Sequence, residues 1–221
     1  MNKLYISNVT AWAPGLADDA ENWKAWKEGK IEISCVKESP KLEYTDPLFR
    51  RRLSQITKMT VQVVYNLLEK SGIDPETKIN FISLRGEIER EFTINKSLIQ
   101  DNMILPAGFS LSVFNTPIAS ATLAFKLKGG YTVILPSKGN FDSALKNALA
   151  PVLAGTEERI MLVYADEFVP DYYGDKRPLQ NIPLAFAAIV SSKPLQSSDS
   201  KDFSCLDSIY ISPVDFLKAI L

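Results

Sequence analysis

The sequence contains no histidine among its 221 residues. Histidine most often moves protons near neutral pH and most often ligates transition metals. Its absence removes Ser-His-Asp and Cys-His pairs from this chain, together with most zinc and non-haem iron sites. Cysteine is scarce too: Cys35 and Cys205 are far apart and match neither a disulfide framework nor a metal cluster, so no metal or cofactor is expected. An excess of one charge is also missing, since 25 basic and 26 acidic residues leave a net charge of −1. Nucleic acid and anionic membranes therefore meet no global attraction. No apolar run reaches the roughly 20 residues of a membrane span. Met1-Asn2-Lys3-Leu4 lacks a signal peptide's apolar stretch, so a cytoplasmic, reduced protein is expected.

What is present is ordinary for a globular chain, 46% hydrophobic and 23% charged, and a single domain over residues 1–221 is expected. Lys3 to Ala13 reads as a strand ended by Pro14-Gly15. Asp18 or Asp19 can cap a short helix that sets Trp23 and Trp26 on one face, as core packing. Leu48 to Lys70 is the longest helical pattern, with an apolar stripe from Leu53 to Leu68 and a stop at Gly72. A strand over Lys78–Leu84 and a helix over Glu87–Gln100 follow, then a buried helix within Leu111–Leu127 started or kinked near Pro117. Arg159–Ala165 and Leu184–Val190 are buried-type strands. The loop between them, with Asp166, Glu167, Asp171, Tyr172, Tyr173 and Asp175, reads as solvated or as an interface rim. Ser197–Ser204 reads as a loop, and Ser208–Leu221 as a brief strand and a terminal helix. Alternating strands and helices predict an α/β fold with a mainly parallel mixed sheet.

One stretch, "YTVILPSKGNFDSALKNALAPVLAG" (131–155), is a strand, a tight turn and a helix closed near Gly155. Many α/β enzymes hold a nucleophile at such a turn, where helix amides favour developing negative charge. Here the turn is Pro136-Ser137-Lys138-Gly139-Asn140. Ser137 with Lys138 as base is a poor catalytic pair, because adjacent residues rarely face each other and no oxyanion-hole motif accompanies them. Lys138 itself reads either as an exposed turn lysine or as a charge placed where a nucleophile would sit.

The order of "AENWKAWKEGK" (20–30), "FRRRLSQITKMTVQVVYNLLEKSGI" (49–73), "FISLRGEIE" (81–89), "LPAGFSLSVFNTPIASATLAFKLKGGYTVILPS" (105–137) and "EERIMLVYADE" (157–167) resembles the N-terminal half of thiolase-fold β-ketoacyl synthases. More closely, it is similar to the ketosynthase-like N-terminal family of bacterial aryl polyene gene clusters. The resemblance implies a thiolase-like half and places the catalytic-cysteine position at Lys138 or Gly139, where no cysteine stands. The two histidines of such synthases come from a C-terminal half that this chain does not show. The pattern resembles the chain-length factors of type II polyketide synthases, which keep the fold, lose the nucleophile and pair with an active synthase.

The implied partners are a full-length β-ketoacyl synthase, in a heterodimer, and an acyl carrier protein. The interface and tunnel are expected at Phe109, Leu111, Val113, Phe114, Asn115, Tyr131, Val133 and Leu135, and carrier-protein docking at Arg50, Arg51, Arg52 and Lys58. These cations stand at the start of the long helical pattern, where they oppose its dipole. The apolar segments 109–127 and 141–153 exceed what one sheet face needs, which implies a surface covered by the partner. The competing readings are a stand-alone acyl-thioester hydrolase or acyltransferase using Ser137, and a small-molecule-binding degenerate half.

Overall fold

The computed structural model describes residues 3–104, 106–178, 181–195, 200–203 and 208–221. Cys205 and half of the loop expected over Ser197–Ser204 lie outside the described residues.

In chain order the elements are β1 (Leu4–Trp12), α1 (Ala20–Lys27), α2 (Pro47–Arg51), α3 (Gln55–Ser71), β2 (Ile79–Ile82), α4 (Ile88–Asp101), α5 (Pro106–Phe109), α6 (Thr116–Phe125), β3 (Tyr131–Ile134), α7 (Phe141–Leu153), β4 (Arg159–Asp166), β5 (Leu184–Ser191), β6 (Lys201–Phe203) and α8 (Pro213–Ile220). The strands form one six-stranded sheet in the order β3-β2-β4-β5-β1-β6.

The sheet is mixed, but not mainly parallel as expected. β2 runs parallel to β3 and β4, while β4–β5, β5–β1 and β1–β6 are antiparallel. Parallel neighbours need a crossover, which α4 to α6 provide between β2 and β3; β4 folds back on β5 through an irregular loop and needs none.

The two-residue period of the strands sorts their side chains into two cores. Ile160, Leu162 and Tyr164 of β4, with Leu184, Phe186 and Ala188 of β5, face one helical layer. That layer consists of α1 (Trp23, Trp26), α7 (Phe141 to Val152) and α8 (Phe216, Leu217, Ile220). Met161 and Val163, with Ala185, Ala187 and Ile189, face α3 and α6 on the other side. β1 also serves both cores, and one extra residue between Ser7 and Thr10 bulges its pairing with β5 and shifts its phase. Asn8, at φ 55°, makes the bend, and the change of phase sends Trp12 to the α3 side and Ala11 to the α7 side.

The long helical pattern is two helices. Asp46 caps α2 with its carboxylate on the Leu48 and Phe49 amides, and Ser54 caps α3 by accepting from the Thr57 amide at 3.2 Å. The hydrophobic period runs on through Leu53 and hides the break. Arg50 and Arg51 therefore lie in the last turn of a short helix, where cations favour the dipole; they do not oppose it as expected. Gly72 closes α3 in the left-handed conformation, as its position predicts.

The apolar stripe of α7 is covered by its own chain, with Phe141, Ala144, Leu145, Ala148, Leu149 and Val152 buried and Leu153 half-buried, so it contributes little of the expected surplus apolar surface. Trp23 and Trp26 are packed edge-to-face, with centroids 5.3 Å apart, as core packing predicts. Lys201 to Phe203, expected as loop, adds an antiparallel edge strand to β1.

Candidate functional site

The β3–α7 corner sits at one edge of the sheet. β3 pairs with β2 alone, and Tyr131 and Leu135 are exposed while Val133 is half-buried. After Leu135 the chain turns through a single 3-10 turn, Ser137–Gly139, into α7. Asn140 caps that helix, its side chain accepting from the Ser143 amide at 3.0 Å. Lys138 and Gly139 are both left-handed, at φ 56° and 66°, and both are exposed. Glycine takes this conformation freely; lysine does so at a cost of about 1 kcal/mol.

The corner holds out a cation on a strained backbone at the position where the strand delivers its side chain. Among the described residues, no hydrogen bond joins Ser137 Oγ to Lys138 Nζ or to any other base, so the corner carries no assembled nucleophile.

Beside this corner the surface is apolar. α6 starts at Thr116 with Pro117 in its first turn, as expected, but is buried on one side only: Ile118 and Ala121 face α3, whereas Leu123 is 78% exposed. Phe109, Val113 and Phe114 are exposed; Leu111 and Asn115 are half-buried. Asn115 Nδ2 donates to the Tyr131 hydroxyl at 3.0 Å and ties the start of α6 to β3. α4 has no buried residue, and Ile99, Met103 and Ile104 extend the apolar surface around its end. Of the residues expected at the interface, the structure thus joins Asn115 to Tyr131 directly and leaves Phe109, Val113, Phe114 and Leu135 exposed.

The cations of the basic cluster have different surroundings. Arg50 turns its guanidinium onto the Leu42 and Thr45 carbonyls, at 3.3 and 3.5 Å. Arg51 and Arg52 are exposed, and the Arg52 carbonyl accepts from Arg90 at 2.9 Å. Lys58 lines a cleft of about 310 Å³ with Lys37, Ser54, Glu89 and Arg90.

Three acids are buried that the local hydrophobic period does not mark as such. Asp166 and Glu167, expected in a solvated loop, are buried at the end of β4, and Glu87 is buried at the start of α4. Asp166 accepts from Ser83 Oγ at 2.8 Å, Tyr164 Oη at 2.7 Å and the amides of Leu84 and Arg85 at 3.1 Å. Burial nevertheless holds its carboxyl above the usual range. Glu167 accepts from the Ile56 amide at 3.4 Å and the Glu89 amide at 3.1 Å, the first turns of α3 and α4. Burial first, then the charge of Glu87, pushes Glu167 up to about 8. Glu87 accepts from Ser54 Oγ at 2.7 Å, from Thr57 Oγ1 and from Arg90 Nε at 3.3 Å, and burial raises it as well. The signal for this cluster was an Asp-Glu pair closing an otherwise apolar strand, since such a run leaves its last residues inside the fold.

Comparison with known proteins bears on the whole assembly. Residues 23–207 match the family model described as beta-ketoacyl synthase, N-terminal domain. None of the curated proteins matches. Among solved structures, the ketosynthase (ApeO) in complex with its chain length factor (ApeC) from Xenorhabdus doucetiae superposes with a TM-score of 0.74 at 26% identity, over 86% of this chain and 79% of that one. The ishigamide ketosynthase/chain length factor gives 0.69 at 13% identity, over 86% and 62%. A beta-ketoacyl synthase from Burkholderia phymatum STM815 gives 0.63 at 10%, over 86% and 59%. The chain thus spans less than two thirds of the last two, whose likeness is one of fold. The sheet with its two helical layers is the arrangement these proteins share. With the family match covering most of its length, this chain belongs to the beta-ketoacyl synthase N-terminal domain family.

Proposed function

We propose that this chain is a non-catalytic, chain-length-factor-like subunit of a type II polyketide ketosynthase, one that makes aryl polyenes, and that it forms a heterodimer with a full-length β-ketoacyl synthase. The observation that carries this reading is the β3–α7 corner, where an exposed left-handed lysine stands at a sheet edge flanked by apolar side chains. The chain holds no histidine to work with a nucleophile there. The likeness to structures described as ketosynthase with chain length factor supports the pairing. The partner supplies the cysteine and histidines, and residues from Phe109 to Ala119 line part of the tunnel for the growing chain.

At about 25 cal/mol per Å², a partner that covers several hundred Å² of this apolar margin gains on the order of 5–10 kcal/mol before the cost of association. Arg51 and Arg52 are the exposed cations for an acidic carrier protein; Arg50 serves the fold. The pair works in the cytoplasm and needs no cofactor in this subunit.

Co-expression with the β-ketoacyl synthase of the same organism tests the reading. A stable complex in which only the synthase is acylated is expected. A monodisperse monomer that ignores the synthase and hydrolyses acyl thioesters by itself would overturn it in favour of a stand-alone enzyme through Ser137.

A further inference from the structure

β1 is covered along only part of its outer edge. β6 pairs with Leu4, Tyr5 and Ile6 and reaches no further. Past the bulge, β1 keeps β5 on one side and has, among the described residues, no strand on the other. There Val9, Thr10 and Ala11 form the floor of a cleft of about 690 Å³. Its walls come from the two helical layers, with Lys24 and Lys27 of α1 on one side and Glu69 and Lys70 of α3 on the other. The strand period agrees: Val9 and Ala11 pack toward the core that holds Trp23 of α1, whereas Thr10 Oγ1 donates to the Val63 carbonyl of α3 at 2.9 Å. A further strand in this cleft would continue the line of β6 with a helix over each face.

Natural sheets guard an open edge with proline or with charges on the edge strand itself. The bulge interrupts this edge, but Val9, Thr10 and Ala11 carry no charge and no proline; the cations stand on the helical walls. Three lysines against two carboxylates leave the lining positive. Glu69 and Lys70 offset each other in sign, and Asp18 accepts from Asn66 at 3.3 Å. Lys24 and Lys27 are exposed, and among the described residues neither ammonium group has an ion pair or a hydrogen bond. They lie one helical turn apart, a separation of about 5–6 Å at Cβ. Alternate residues of a strand point to one face about 6.7 Å apart. Two carboxylates separated by one residue on a docked strand would therefore meet both lysines together.

We propose that the open edge of β1 is a docking site for an extended segment of another protein that carries two acidic residues in alternation. The segment adds as a strand beside Thr10 and Ala11, and Lys24 and Lys27 hold its carboxylates. Main-chain hydrogen bonds supply the affinity and the lysines select the segment. This edge lies across the sheet from β3, so the site stands apart from the proposed function.

A capped synthetic heptapeptide, TVEVEVT, tests the site on the full chain, free or in its complex with the synthase. Anisotropy of the fluorescein-labelled peptide gives affinity, and amide hydrogen exchange of the protein gives the place. Saturable binding is expected, with new protection in β1. Lys24→Glu and Lys27→Glu together should weaken it about tenfold or more, and the charge-reversed peptide TVKVKVT should prefer that double variant to wild type. The peptide TVEPEVT keeps both charges but cannot complete the ladder, and it should bind about tenfold more weakly. Absence of TVEVEVT binding at millimolar peptide would overturn the proposal. Equal binding of TVEPEVT would overturn it as well, leaving charge attraction alone. A dimer of the chain that TVEVEVT dissociates in sedimentation would assign the edge to a second copy instead. If the double variant does not fold, the three peptides on wild type decide the matter, with TVKVKVT expected to bind about tenfold more weakly than TVEVEVT and equal binding counting against the lysines.

Discussion

The ring of Phe114 lies against Gly86: a Cβ built on that glycine would stand 2.2 Å from Cδ1 of the ring. Gly86 also has φ +63°, so its backbone and its neighbour both exclude a side chain. Two distant segments, the β2–α4 loop and the approach to α6, are locked together by this contact.

Gly86→Ala is therefore expected to push Phe114 off its seat and to cost about 1–3 kcal/mol from overpacking, with about 1 kcal/mol more from left-handed strain. Urea unfolding measures the loss. Affinity for the synthase should fall with it, because Phe114 lies in the proposed interface.

Leu135 is exposed at the end of β3 and packs little of its own core. Leu135→Asp should leave the stability of the isolated chain within about 0.5 kcal/mol, as surface changes do. In titration against the synthase it should weaken binding tenfold or more. Unchanged binding would move the interface away from the β3 edge.

Asp166 receives donors from Ser83, Tyr164, Leu84 and Arg85. Asp166→Ala leaves these groups unpaired inside the fold, and a loss of about 3 kcal/mol or more is expected. Tyr164→Phe removes a single donor and should cost about 1 kcal/mol. Equal losses in the two variants would mean that the Tyr164 bond alone organises the site.

Stability should decline with rising pH. Glu167 ionises near 4.5 in an unfolded chain and near 8 in the fold, so the folded form binds the extra proton throughout that interval. The contribution is complete below about pH 4.5, is lost progressively up to about pH 8 and then levels off. The raised carboxyls of Glu87 and Asp166 act in the same direction. Each proton contributes a slope of about 1.4 kcal/mol per pH unit. Denaturant midpoints at several pH values should show the decline in wild type and a shallower one in Glu167→Gln; a rising stability would contradict the assignment.

Much of the fold is written locally. Apolar runs with strand or helix periods mark β4, β5, α3 and α7, because each must bury a stripe or a face to exist at all. Pro117 and Gly72 mark ends by backbone sterics, which need no partner. The β3–α7 turn is legible for the same reason: Lys138 and Gly139 follow a strand and precede a helix, so their place in the turn is set by their neighbours in sequence. The absence of histidine likewise limits the chemistry of this chain without reference to any fold.

Tertiary structure alone decided which of these pieces meet. Leu53 keeps the helical period across the Arg52–Ser54 break, so only the Ser54 cap and its packing divide α2 from α3. The three arginines look alike in sequence, yet Arg50 is turned inward by two carbonyls that the fold brings to it. The direction of β5 beside β4, and hence the mixed sheet, depends on long-range pairing that no local period encodes. Glu167 lies 78 residues from Glu89 and 111 from Ile56, and it became a buried acceptor because the sheet carries its strand end between two helix N-termini. Local sequence sets what each segment can bury; only the assembled layers determine which charge is left there without water or a partner.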